Sequence, residues 1–172
     1  MPQFLGFVSS TTLAGSIIVR SSSGVPTDSS SAPTYRIYGS AGLMTNGTGS
    51  LTSYKDSGSI TGATNVSPIV VTSIGHGLTT GTRVTISGVG GNTAANSTYN
   101  VTVLTSNTFS LDSSTGNGAY TSGGTWHVSG LYNLSVSVSS SDGYAAGETY
   151  TLLVTSVVSG TTIADTYTFI MT

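Results

Sequence analysis

The sequence predicts an all-β protein, and three observations carry that reading. Serine and threonine dominate the polar residues, and threonine, being β-branched, suits a pleated surface. The charged residues that favour helices are nearly missing, since Lys55 is the only lysine and Glu148 the only glutamate. Apolar residues recur at every second position over short stretches bounded by glycine, serine or asparagine.

Taken in order, Phe4 to Val8 and Ser16 to Arg20 read as the first two strands, joined through Thr11, Thr12 and Gly15. Ser21 to Pro33 is a serine-rich loop with two prolines and no ladder partner implied by its pattern. Thr34 to Tyr38 alternates, Gly39 to Gly49 returns the chain through glycines, and Leu51 to Tyr54 makes the next strand before the turn-like Asp56-Ser57-Gly58. From about Ile60 the style changes to a glycine-cornered meander. Val84 and Ile86, then Tyr99, Val101 and Val103, then Phe109 and Leu111 fall on one face of a period-two pattern. Arg83, Thr85, Asn100, Thr102 and Ser110 fall on the other face. Gly75-His76-Gly77, Thr80-Gly81 and the run Gly88 to Asn92 supply the corners, and the segment closes with Gly123, Gly124 and Trp126.

After Gly130 the earlier style returns. Tyr132, Leu134, Val136 and Val138 alternate against Asn133, Ser135 and Ser137 as a one-sided strand. Glu148 to Val158 and Thr161 to Met171 then form a hairpin about Ser159-Gly160, with Tyr150, Leu152 and Val154 meeting Tyr167, Phe169 and Met171 on the buried face. Removing 62–128 leaves six or seven strands spaced as in an immunoglobulin-like sandwich. The expected layout is therefore a discontinuous immunoglobulin-like β-sandwich over 1–61 and 129–172, with a small β-barrel or meander inserted at 62–128. Residues before Ile60 supply too few strands to close a core alone.

Composition excludes several functions. Four basic and six acidic residues give a net charge of −2, and the basic ones are scattered, so no electropositive surface for nucleic acid is expected. The chain has no cysteine, which removes disulfides and thiolate metal sites. The amino terminus lacks a basic region followed by a long apolar run, so no secretory leader is expected. No apolar run approaches the ~20 residues of a spanning helix, so no membrane partner is expected.

Few residues could do chemistry. His76 stands between two glycines and is expected to bond its own loop; His127 follows Trp126 and is expected to face outward on a strand. The acids Asp28, Asp56, Asp112, Asp142, Glu148 and Asp165 are single and widely spaced, without the pairing of a calcium loop or a glycosidase. No Gly-x-Ser-x-Gly elbow is present. No catalytic residue, cofactor or metal is therefore expected, and the chain reads as no enzyme. Tyrosine leaves one opening: with most tyrosines in strand patterns, Tyr120 and Tyr144 are the candidates for exposed surface contacts.

The run HGLTTGTRVTISGVGGNTAANSTYNVTVLTSNTFSLD resembles a small β module of tailed-bacteriophage structural proteins that is labelled as similar to the first catalytic cysteine half-domain of ubiquitin-activating enzymes. That enzyme family works through a cysteine, so the resemblance implies a shape and no ubiquitin chemistry. TYRIYGSAGLM and GLYNLSVSVSSSDGYAAGETYTLLV are similar to immunoglobulin-like domains of phage head-decoration, head-fibre and tail proteins. The resemblance implies a phage virion structural protein, foremost a capsid decoration or cement protein that binds the major capsid protein or other virion proteins. It implies a homo-oligomer within the particle, assembled in the bacterial host cytoplasm. The alternative it leaves open is a receptor- or glycan-binding module of a tail, baseplate or head fibre.

Overall fold

The computed structural model describes residues 3–8, 11–52, 54 and 56–172. The protein is all-β and divides into two compact units, Met1–Ser53 with Gly130–Thr172 and Tyr54–Ser129. In chain order the strands are β1 (Gln3–Val8), β2 (Thr12–Ile18), β3 (Thr34–Gly39) and β4 (Gly42–Ser50). The inner unit follows with β5 (Ser57–Ser59), β6 (Gly62–Ala63), β7 (Val70–Thr72), β8 (Arg83–Ser87), β9 (Thr98–Thr105), β10 (Thr108–Leu111) and β11 (Thr125–Val128). The outer unit resumes with β12 (Leu131–Ser137), β13 (Thr149–Val158) and β14 (Thr161–Met171).

The outer unit is a sandwich of a five-stranded sheet in the order β1-β14-β13-β3-β4 and the pair β12-β2. β1 runs parallel to β14, and β13 lies antiparallel between β14 and β3. This is an immunoglobulin-like connectivity. Alternation determines which side chains turn inward: Ile17 from one sheet and Ile37, Leu152 and Phe169 from the other are essentially fully buried. Ile37 and Leu152 are cross-strand neighbours, so aliphatic packing occupies the centre of a chain that has no cysteine. At the start of β13 the Tyr150 hydroxyl accepts the Ala145 N–H at 2.8 Å. A tyrosine at the start of this strand bonding the backbone a few residues upstream is the tyrosine corner of such sandwiches.

The β13–β14 ladder runs unbroken from Thr149↔Ile170 to Val158↔Thr161. Its turn places Ser159 at φ 50 and Gly160 at φ 80, the doubly left-handed backbone that two-residue hairpins favour. Tyr150 faces Phe169 and Leu152 faces Tyr167, but Val154 stands opposite Asp165, and Met171 lies one step past the ladder's end.

The inner unit is a barrel closed along part of its wall. Its sheet order is β5-β11-β8-β9-β10-β7-β6, and the two end strands are successive stretches of one ribbon. Ile60 N–H bonds Gly124 O at 2.9 Å on the β11 side, while Thr61 N–H bonds Thr72 O at 2.9 Å on the β7 side. The ribbon thus changes partner between adjacent residues and closes the wall. Ile69, Val71, Val84, Ile86, Val101, Phe109, Leu111 and Trp126 fill the interior.

Several boundaries differ from the sequence reading. Thr12 and Gly15, expected in a connection, lie inside β2. The glycine return before Gly49 is itself the strand β4, whereas Leu51 is buried outside any strand. Gly49 of β4 lies against Tyr35: a Cβ there would stand 2.5–2.7 Å from that phenol. The Asp56-Ser57-Gly58 turn is instead the start of β5, paired with β11, so the inner unit begins at Tyr54 rather than at 62. Ser110, expected outward, is buried, on a strand that lies between β9 and β7. The Ser21 to Pro33 loop is anchored: Ser30 N–H bonds Val157 O at 2.7 Å, and Ser29 N–H bonds the Tyr132 hydroxyl at 3.0 Å.

Candidate functional site

The barrel gathers its aromatic side chains around Trp126. Alternation on β11 turns Trp126 inward, where Phe109 meets it edge-on at 6.2 Å and His76 meets Phe109 edge-on at 5.2 Å. The indole N–H donates to Ser73 Oγ at 2.7 Å, which satisfies its one polar group. β5 crosses the indole so closely that a Cβ on Gly58 would stand 2.9–3.0 Å from the ring.

His76 is held as expected for a loop histidine, and more tightly. It is 8% exposed. Its Nδ1 accepts the Leu78 N–H at 3.0 Å, and its Nε2 lies 3.0 Å from the Thr105 carbonyl oxygen, to which it donates. Asp56 shares with it an open depression of 280 Å³. With one ring nitrogen accepting and the other donating, the imidazole has no free site for abstracting a proton from a substrate.

On the outer face His127 lies under Tyr54, the two rings stacked at 3.5 Å with an interplanar angle of 14°. Beside the stack is an open trough of 580 Å³ floored by Ser57, Ser59, Ser87 and Thr125. The sequence marked His127 as an outward residue but gave no sign of Tyr54, which reaches the strand only through the fold.

The two tyrosines expected to be exposed contacts are placed otherwise. Tyr144 is 3% exposed, packed against Tyr150 and Phe169 with ring centroids at 5.0 and 6.5 Å. Its position in a Gly- and Ala-rich corner looks like an exposed loop, yet that corner folds over the end of the sandwich. Its buried hydroxyl has no hydrogen-bond partner among the described residues. Burial, then the Asp142 carboxylate, and then Tyr150 and Tyr35 push its pKa from 10.0 to about 12. Burial also raises Tyr35 and Tyr167, the latter aided by Asp165 and opposed by Arg20. Tyr120 is half-buried against the barrel core, and its hydroxyl bridges Ile60 O at 3.1 Å and Gly123 O at 3.0 Å. Tyr144 is thus a packed residue and no exposed contact, whereas Tyr120 keeps part of its ring at the surface.

The acids hold turns. Asp142 accepts Asn46 Nδ2 at 2.7 Å and the Ser139 hydroxyl at 2.6 Å, Asp28 accepts the Gly130 N–H at 2.7 Å, and Asp112 accepts the Thr102 hydroxyl at 2.9 Å. Among the described residues no three histidines or carboxylates gather as metal ligands.

Residues 67–128 match the family model of the ubiquitin-activating enzyme E1 FCCH domain. The match covers β7 to β11 and less than half of the chain, so it describes the inserted barrel alone. No curated protein matches the chain.

Proposed function

We propose that the chain is a structural protein of a tailed-bacteriophage virion, acting as a decoration or cement protein on the capsid. The observation that carries this reading is a surface with apolar residues in the open and little charge to keep copies apart. Leu43, Val66, Ile74 and Leu104 are each more than half exposed, while four basic and six acidic residues are spread over the whole sequence. Sheet edges so poor in lysine are weakly defended against pairing, a hazard for a protein free in solution and an asset for one built into a shell. The sequence likeness of both units to phage domains supports the same reading.

In this role the chain buries area against the major capsid protein and against neighbouring copies of itself, and small contacts add up through repetition in the lattice. It acts in the virion after assembly in the bacterial cytoplasm, with no catalytic step, no nucleic acid and no membrane. The engagement of both His76 nitrogens supports the inert part of the proposal. Quantifying the protein in purified particles tests it: a copy number matching a lattice or vertex position is expected, and absence from particles overturns it.

The stacked Tyr54–His127 pair beside a trough of hydroxyls favours a second reading, a glycan-binding module of a fibre or tail. Sugars recognise an aromatic face flanked by hydroxyl partners. Binding of the isolated chain to host cells, lost in Tyr54→Ala, would select this reading over cement.

A further inference from the structure

The barrel wall carries an open seam beside β5. On this ribbon Asp56 O accepts the Val128 N–H and Ile60 N–H bonds Gly124 O, so residues 56, 58 and 60 direct their backbone groups to β11. Residues 57, 59 and 61 point the other way. Thr61 N–H is taken by Thr72 O at 2.9 Å. Since Gly62 is also the register partner of Thr72, two ribbon residues stand against one there, and past that step the next rungs would join Ser59 to Ile74 and Ser57 to His76. Those rungs are missing, and the N–H and C=O groups of Ser57 and Ser59 have no backbone partner among the described residues.

The opposite wall explains why. Ser73 N–H bonds Asn107 O and Gly75 N–H bonds Asn107 Oδ1, both at 2.9 Å. Gly75 and Gly77, at φ 62 and 65, turn the chain away from β5, and His76 is tied to Thr105 O at 3.0 Å. What remains between the walls is a cavity of 320 Å³ bordered by Trp126 and Ile74. Ile74 is 79% exposed although its loop is fixed by those bonds.

We propose that this seam binds an extended, uncharged peptide segment of another protein as an added strand along the free edge of β5. The chemistry of the walls selects the occupant. Outward N–H and C=O groups at alternate residues are matched by an extended backbone, and strand addition is how an exposed edge recognises a peptide. Among the described residues no carboxylate, lysine or arginine lines the cavity, so a charged residue entering it would lose its hydration without a partner there. Ile74 offers apolar surface to an aliphatic side chain of the incoming strand. The proposal stands apart from the virion reading and can fail or hold independently of it.

The test uses the full chain, with backbone amide resonances followed while a capped peptide of alternating threonine and valine is added. Saturable shifts at Ser57, Ser59, Ile74 and the Trp126 indole N–H are expected. The same peptide N-methylated at alternate residues should bind at least about tenfold more weakly, and so should a capped peptide of alternating lysine and glutamate. Ser59→Pro should abolish binding while leaving the β5–β11 ladder intact, because the Ser59 N–H points away from β11. The absence of saturable shifts, shifts centred elsewhere, or equal binding of the N-methylated peptide overturns the proposal. Concentration-dependent shifts of the same amides without peptide would assign the seam to a second copy and also overturn it.

Discussion

The sandwich and the barrel are both all-β, but they are held together differently. The sandwich relies on long strands in continuous register, typified by the β13–β14 ladder, with buried residues at every second position of β13. The barrel uses strands as short as β6, and its connections are locked by neutral side chains that bond the backbone. Asn92 is fully buried, donating from Nδ2 to Thr64 O at 2.8 Å and accepting the Asn117 N–H at 3.1 Å on Oδ1. Asn96 both accepts from Val89 N–H at 2.8 Å and donates to Val89 O at 2.9 Å. Ser114 accepts the Ile69 N–H at 2.9 Å and donates to Leu111 O at 2.6 Å. Long ladders specify themselves by alternation, whereas short ones need side-chain bonds to fix the loops between them.

The sharpest way to break this contrast is to empty the barrel. Trp126→Ala should cost about 3–5 kcal/mol, seen as loss of amide-exchange protection from β5 to β11 while β13 and β14 keep theirs. Uniform loss over both units would show that the barrel is not separately held. Removing a loop lock should cost less: Asn92→Ala leaves Thr64 O and Asn117 N–H without their partner, worth about 1–3 kcal/mol. The fluorescence of Trp126, the one tryptophan in the chain, should report this in a denaturant titration.

The sandwich offers two substitutions of the same chemistry with opposite signs. Tyr150→Phe removes the acceptor of the Ala145 N–H and should destabilise by about 1–2 kcal/mol. Tyr144→Phe removes a buried hydroxyl without a partner and should stabilise by up to about 1 kcal/mol. Paired thermal melts decide it, and destabilisation by Tyr144→Phe would mean that its hydroxyl is bonded after all.

A further effect is expected at high pH. A tyrosine whose folded pKa is raised keeps its proton after the unfolded chain has released its own, so its influence is absent below about pH 10 and costs stability as pH rises from there. For Tyr144 that window closes at about 12. Tyr35 and Tyr167 act in the same direction, and all three lie in the sandwich. Stability measured from neutral pH upward should stay level and then fall, with a shallower fall in Tyr144→Phe.

Much of the strand pattern was legible because period-two alternation is local. Val84 and Ile86, Tyr132 to Val138 and the Ser159-Gly160 hairpin all lie where the pattern places them. The misplaced elements are those whose residues take their meaning from distant partners. Gly42–Ser50 forms a strand in which Tyr35 covers Gly49, and Ser57–Ser59 forms one in which Trp126 lies beneath Gly58. Tyr144 looked exposed for the same reason, since nothing nearby in the chain reveals that Tyr150 and Phe169 enclose it.

By itself, then, the sequence determined the all-β class, the change of style that separates two kinds of β structure, and the rarity of charge and of reactive groups, because all of these are properties of composition and of neighbouring residues. Only the tertiary structure decided that the inner sheet closes on itself and stops short of Ser57 and Ser59, and that Tyr54 lies on His127. Those outcomes depend on which backbone groups find partners across the fold, and hydrogen bonding between residues far apart in the chain leaves no mark on the local pattern.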